Sequence, residues 1–232
     1  MRRATLALAA ILLLPAGCGD QKRDSRDSSG GDIAAASTST TEQTPPQGAA
    51  GCRSVDAPAA KPDGGQKKPT GKLDDSAAYR LRVATSCGAF TIELDQDQSP
   101  NASASLVALA QRRFFDRTVF HRIAPGFVIQ GGDPTGTGTG GPGYSTRDDP
   151  PSDATYTKGV VAMAKTQAEP PGTAGSQFYV VTGESSSLPP DYAVVGKVVA
   201  GESVVDRIGE LGGPDEKPTQ PVVIDSVRVQ KG

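Results

Sequence analysis

Phe120 to Asp133 reads FHRIAPGFVIQGGD, and its pattern decides the fold. From Val119 to Ile123 apolar and polar residues alternate, the period-2 signature of a strand with one buried face. Ala124-Pro125-Gly126 supplies a turn and a second apolar run follows, so the stretch reads as two strands, 117 to 123 and 126 to 131. An arginine, an aromatic residue and an amide, Arg122, Phe127 and Gln130, recur two residues or more apart along this pair.

The flanking sequence extends the same pattern. Leu81 and Val83, then Phe90, Ile92 and Leu94, alternate on either side of Ser86-Cys87-Gly88, a hairpin signature. Ser99-Pro100 offers an N-cap followed by proline, leading into Leu106, Val107, Leu109 and Ala110 at helical spacing, so a helix is expected over 100 to 112. Further short β-rich runs lie at 158 to 164, 176 to 182, 192 to 199 and 221 to 229. Gly201-Glu202-Ser203 opens a second helix with Val204, Val205, Ile208 and Leu211 on one face and Gly212 as its stop. The expected class is therefore all-β dominated: an eight-stranded antiparallel closed β-barrel capped by two α-helices. A two-sheet sandwich is the competing arrangement.

Composition sets the outer limits. With 28 Gly and 19 Pro in 232 residues, irregular backbone is abundant and a helical bundle is disfavoured. The 24 Lys and Arg against 26 Asp and Glu give a net charge of −2, which provides no electrostatic reason for nucleic-acid binding. One His and three Cys are too few for a multi-histidine or four-thiolate metal centre. All the aromatic residues lie at or after Tyr79, which places one folded domain at 78 to 232.

The N-terminal third reads as an address. Arg2-Arg3, the apolar run Ala4 to Leu14 and Pro15-Ala16-Gly17-Cys18 have the regions of an export signal over 1 to 17, too short to span a bilayer. Ala16-Gly17-Cys18 resembles the lipobox of bacterial lipoproteins, although Pro15 stands where that box usually has Leu. The expectation is lipidation at Cys18 and anchoring on the outer face of the cell membrane, with plain secretion as the alternative. Residues 18 to 77 carry few large aliphatics and read as a disordered tether. Export places Cys52 and Cys87 in an oxidising compartment, where they are expected to pair; two free thiols are the alternative.

Two local motifs are set aside. Gly136 to Gly143, GTGTGGPG, contains G-x-G-x-x-G twice, but Tyr144 to Pro151 cannot start the helix that a phosphate site needs. It reads as an irregular loop that lets backbone pass close to another segment. His121 could serve as a base, but no G-x-S-x-G elbow accompanies it and it lies inside a strand pattern.

The Phe120 to Asp133 stretch, with Gly159 to Ala164 (GVVAMA), Gly175 to Tyr179 (GSQFY) and Val195 to Val198 (VGKV), resembles the cyclophilin family of peptidyl-prolyl cis-trans isomerases, in family order over about 80 to 230. The resemblance implies the same barrel with two helices, an enzyme needing no cofactor, and Pro-containing polypeptides as partners of a monomer. It implies catalytic roles for Arg122, Phe127 and Gln130. It places Phe127, Met163, Tyr179 and Leu188 around a proline pocket. Gln177 would support the groove, Ala164 and the main chain at Lys165 would meet the residues before proline, and His121 would be a wall residue. Three positions depart from the family pattern: Tyr179 stands where many members have Phe, Ser187 where Trp is common, and Tyr192 where many eukaryotic members have His. A tethered module that binds Pro-containing peptides with little turnover is the second reading.

Overall fold

A computed structural model describes residues 48–232. The expected signal peptide, Cys18 and the first part of the tether lie outside the described residues.

The hairpin read from alternation is present as β1 (Tyr79–Thr85) and β2 (Gly88–Leu94). In β1, Tyr79, Leu81 and Val83 are buried while Arg80 and Arg82 face out. Six more strands complete the barrel: β3 (Thr118–Ala124), β4 (Val128–Asp133), β5 (Val160–Met163), β6 (Phe178–Val181), β7 (Val194–Ala200) and β8 (Val223–Lys231). They close in the order β1-β8-β3-β4-β6-β5-β7-β2, with every pairing antiparallel. The interior holds Leu81, Phe90, Phe120, Ile129, Met163, Phe178 and Val180, among others. Phe178 meets Phe120 and Phe115 edge-on, each at a centroid distance of 6.1 Å. Side chains therefore fill the barrel, as eight strands require.

Among the described residues the two α-helices are α1 (Pro100–Gln111) and α2 (Glu202–Gly209). Ser99 is the N-cap of α1 by position, but its hydroxyl donates to the Val194 carbonyl. The free amides of the first turn are satisfied by a remote carboxylate instead: Asp148 accepts from Asn101 N at 3.1 Å and Ala102 N at 2.7 Å. Gly212 is not the stop of α2, which ends at Gly209 with Glu210 as its C-cap. Gly212 serves packing: a Cβ there would lie 2.5 Å from the Ile123 carbonyl oxygen, so the loop after α2 can press against the end of β3 only with glycine.

The part of the proposed tether within the described residues, 48 to 77, lies along the barrel as a strap. Cys52 and Cys87 form a disulfide, both almost fully buried. Lys61 N, Gly64 N and Gln66 N donate to the carbonyls of Pro134, Gly141 and Pro142. Lys61 Nζ reaches the carbonyls of Arg113, Phe114 and Asp116 just beyond α1. The strap has few large apolar side chains, so its order comes from backbone pairing, which composition does not reveal, and from the disulfide expected of Cys52 and Cys87. The Gly-rich loop has the expected close approach, and its neighbour is the strap: a Cβ at Gly143 would lie 3.0 Å from Gly64 Cα.

Candidate active site

The site grows from one consequence of strand geometry: adjacent residues on a strand face opposite sides of a sheet. In β5, Val161 and Met163 point into the barrel, and Ala162 points out. In β6, Phe178 and Val180 point in, and Tyr179 and Val181 point out. Pairing then aligns the outward residues in one lateral row across five strands: Arg122 opposite Gln130, Gln130 opposite Tyr179, Tyr179 opposite Ala162, and Ala162 opposite Val194. A second hydrophobic cluster on this outer face includes Tyr179, Phe127, Leu188 and Tyr192.

These residues enclose a pocket of about 200 Å³, lined by Arg122, Phe127, Val128, Gln130, Ala164, Lys165, Tyr179, Leu188 and Tyr192. The hairpin turn sets Phe127 at its edge, with Phe127 N donating to Ala124 O at 3.0 Å and Phe127 O accepting from Thr182 N at 2.9 Å. Tyr192 packs edge-on against Tyr179 at 5.6 Å and is held by the Tyr156 hydroxyl, which donates to its carbonyl at 2.8 Å. A neighbouring cavity of about 420 Å³ shares Gln130, Ala164 and Lys165 with the pocket and is walled by Gly138 to Ser145, Gln177 and strap residue Asp63.

The polar side of the pocket is a directed network. Arg122 Nε donates to Glu216 Oε2 at 2.6 Å and Nη1 to Gln130 Oε1 at 3.3 Å, while none of the described hydrogen bonds uses Nη2. The guanidinium also lies over the Phe127 ring, 5.8 Å from its centroid. Gln130 Nε2 donates to Gln177 Oε1 at 3.0 Å, and Gln177 Nε2 donates to the carbonyls of Gly138 and Gly140 at 3.0 and 2.9 Å. Those glycines are anchored from below by the buried Asp133 carboxylate, which accepts from the amides of Thr135, Gly138 and Gly140. Burial works against ionisation of Asp133, but these bonds and that of the Thr135 hydroxyl outweigh it and hold the carboxyl below its usual range.

Two expected pocket residues lie elsewhere. Met163 is fully buried in the barrel interior, because it shares the inward parity of Val161. His121 lines a separate cleft with Ala57, Gly136 and Pro218. The pairing of β3 with β4 shifts register between Phe120 and Arg122, so His121 is the unpaired residue and leaves the row. Both its ring nitrogens are buried without a partner among the described residues, and desolvation holds its pKa below the ordinary value against the opposing charge of Asp133. Tyr179 raises a related issue: its hydroxyl is buried with no partner among the described residues, and desolvation pushes its pKa up.

The sequence gives little warning of Glu216, which reaches Arg122 only through packing of the 212 to 218 loop. Asp133 has a local signal, an acid just ahead of a Thr-Gly repeat, where a carboxylate can collect loop amides. Lys165 has its ammonium over the Tyr192 ring at 5.4 Å and bonded to the carbonyls of Thr166 and Glu169, so its side chain is held in place beside the pocket.

Comparison with known proteins places this geometry. The profile of the family described as cyclophilin type peptidyl-prolyl cis-trans isomerase/CLD matches residues 80–229. Peptidyl-prolyl cis-trans isomerase A of Mycobacterium tuberculosis is 37% identical over 172 residues, covering 66% of this chain and 93% of that protein. Peptidyl-prolyl cis-trans isomerase-like 2 of Cryptococcus neoformans is also 37% identical, over 164 residues, but the match spans only 28% of that longer protein and 66% of this chain. A crystal structure of a Cryptosporidium parvum cyclophilin type isomerase, determined in the presence of the dipeptide Ala-Pro, superposes with a TM-score of 0.61 at 30% identity, covering 66% of this chain and 99% of that one. By the profile over 80–229, the mycobacterial relative and the shared barrel, this chain belongs to the cyclophilin-type peptidyl-prolyl cis-trans isomerase family.

Proposed function

We propose that this protein catalyses cis-trans isomerisation of X-Pro bonds in exported or envelope polypeptides, with Arg122 as the hydrogen-bond donor to the reacting amide. The observation that carries the reading is the placement of Arg122 on the rim of an apolar pocket, in one cross-strand row with Gln130 and Tyr179.

The chemistry breaks no bond. The planar amide resists rotation with a barrier of about 18 to 20 kcal/mol because its nitrogen lone pair is delocalised. Reaching ~100 turnovers per second requires removing roughly 5 to 6 kcal/mol, selectively in the twisted state. Twisting localises the lone pair on the prolyl nitrogen, which then accepts a hydrogen bond that the planar amide cannot. A guanidinium donor contributes about 2 to 4 kcal/mol to such a state. The remainder comes from the pocket of Phe127, Val128, Leu188, Tyr179 and Tyr192, which favours the less polar twisted amide. Gln130 orients the guanidinium, and the main chain at Ala164 and Lys165 takes the residues before proline. The test is NMR exchange spectroscopy on an Ala-Pro-Phe peptide: catalytic amounts of the full chain accelerate exchange, whereas perturbed peptide shifts without acceleration would make the protein a binding module.

The same proposal includes location. Arg2-Arg3, the apolar Ala4 to Leu14 run and Cys18 support an exported lipoprotein, and the Cys52–Cys87 disulfide fits an oxidising compartment. Metabolic labelling with a palmitate analogue should mark the wild type and not Cys18→Ala; an unlabelled wild type would leave plain secretion.

A further inference from the structure

We infer that Glu216 is a positioning residue for the isomerisation, holding the Arg122 guanidinium so that its remaining donors face the proline pocket. The inference rests on the reading of Arg122 as the donor.

The geometry is specific on both sides of the contact. Arg122 extends outward from β3, and an arginine with one anchor can still rotate about its long side chain. Here it has two, on different nitrogens and from different elements: Nε to Glu216 Oε2 at 2.6 Å and Nη1 to Gln130 Oε1 at 3.3 Å. With the ring of Phe127 beneath, the plane and the in-plane rotation of the guanidinium are both defined, and Nη2 is left for a substrate atom.

Glu216 is itself fixed by backbone. Its carbonyl accepts from Ile123 N at 2.7 Å, next in sequence to Arg122, and its amide donates to Gly213 O at 3.0 Å. Gly213 N closes the loop onto Lys217 O at 2.7 Å, and Gly212 bridges to Pro218. Within this turn Glu216 has a φ of 58°, in the left-handed region that glycine occupies more cheaply than any residue with a Cβ. Asp215 and Lys217 beside it are exposed, as is Glu216, so burial does not explain a glutamate in that conformation. Its side chain has one described partner, Arg122. Backbone strain accepted at a residue whose side chain meets the catalytic donor is the pattern expected of a functional constraint.

An exposed ion pair contributes little to stability, which separates the two roles Glu216 could have. Glu216→Gly relaxes the backbone while removing the carboxylate. The full-length variant should therefore melt at the wild-type temperature or above it, yet lose about five- to tenfold in kcat with KM unchanged, because the misdirected bond is one made in the twisted state. Glu216→Gln keeps an acceptor for Nε and should recover kcat to within about twofold of wild type. Arg122→Ala is measured alongside. If Arg122→Ala is inactive while Glu216→Gly keeps wild-type kcat, the positioning role is wrong and the donor reading stands. If Arg122→Ala retains full activity, both fall. Equal losses in the Gly and Gln variants, or a loss confined to KM, would also overturn the inference, since the first indicates charge and the second direct substrate contact.

Discussion

Gln177 decides which way Gln130 faces. The Gln177 NH2 group donates to two glycine carbonyls, those of Gly138 and Gly140, so its Oε1 is left to accept from Gln130 Nε2 at 3.0 Å. That fixes the Gln130 carbonyl oxygen toward Arg122 Nη1. The orientation of both amides thus follows from the chemistry of the Gly-rich loop, and donation runs from the guanidinium through Gln130 and Gln177 to the backbone carbonyls.

Breaking this relay should slow catalysis without emptying the proline pocket. Gln177→Leu removes the acceptor for Gln130 and should lower kcat roughly fivefold, the equivalent of about 1 kcal/mol for one neutral hydrogen bond. Steady-state kinetics on an Ala-Pro-Phe peptide provides the check, and unchanged kcat would show that Gln130 holds its orientation alone.

Tyr179 should be improvable. Its ring completes the pocket, but its buried hydroxyl has no partner among the described residues, which costs on the order of 1 kcal/mol or more. Tyr179→Phe keeps the ring and should raise unfolding stability by about 1 kcal/mol, with turnover equal to or above wild type. Denaturant titration measures the first effect; a destabilised Phe variant would mean that the hydroxyl has a partner.

The barrel was legible because alternation survives through most of β1 and β2, where Arg80, Arg82, Thr91 and Glu93 stand between buried Leu81, Val83, Phe90, Ile92 and Leu94. The site was legible only in part. Arg122, Phe127 and Gln130 lie on one local hairpin, so sequence distance approximates spatial distance. Met163 was misplaced because parity across four consecutive buried or half-buried residues of β5 is invisible without knowing which face is the interior. His121 lies outside the row because the register shift between Phe120 and Arg122 leaves it without a partner on β4, which no local pattern announces. The strap was legible only at its Cys52–Cys87 anchor, because order imposed by backbone amides and Lys61 leaves no hydrophobic signature.

His121 makes stability, but not activity, depend on pH. The guanidinium of an arginine stays charged throughout the neutral range, so kcat/KM should be nearly flat from about pH 6 to 9. The half-buried His121, whose ring nitrogens are out of contact with solvent, resists protonation chiefly through desolvation, with Asp133 opposing and Arg122 adding to it. Above pH 6.5, the ordinary histidine value, the imidazole is neutral in both states and contributes nothing to the dependence. Below it the unfolded chain binds a proton that the folded one refuses, so the melting temperature should fall as pH drops from 6.5. His121→Gln should flatten that decline. The buried Asp133 acts in a lower window, its contribution being lost below about 3.8, the ordinary Asp value. A bell-shaped activity profile centred near histidine titration would instead place His121 in the chemistry.

The strap should be sensitive to reduction. The Cys52–Cys87 bond closes a loop with a sequence separation of 35, worth roughly 3 to 4 kcal/mol on a chain-entropy account. Reduction, or the Cys52→Ser/Cys87→Ser double variant, should lower stability by up to that amount. It should also increase hydrogen exchange first at the amides of Lys61, Gly64 and Gln66, which pair with the carbonyls of Pro134, Gly141 and Pro142. Unchanged protection there would show that the backbone bonds suffice.

Whether Arg122 stabilises the twisted prolyl amide is read most directly from the rate of peptide cis-trans exchange by NMR in wild type, Arg122→Lys and Arg122→Ala of the full chain. Arg122→Ala should lose about a hundredfold in kcat, the equivalent of roughly 3 kcal/mol, with KM little changed. Arg122→Lys should recover only a small part, since an ammonium cannot bond to Glu216 and Gln130 and still present a donor in the same plane. A folded Arg122→Ala protein turning over within twofold of wild type would contradict the account.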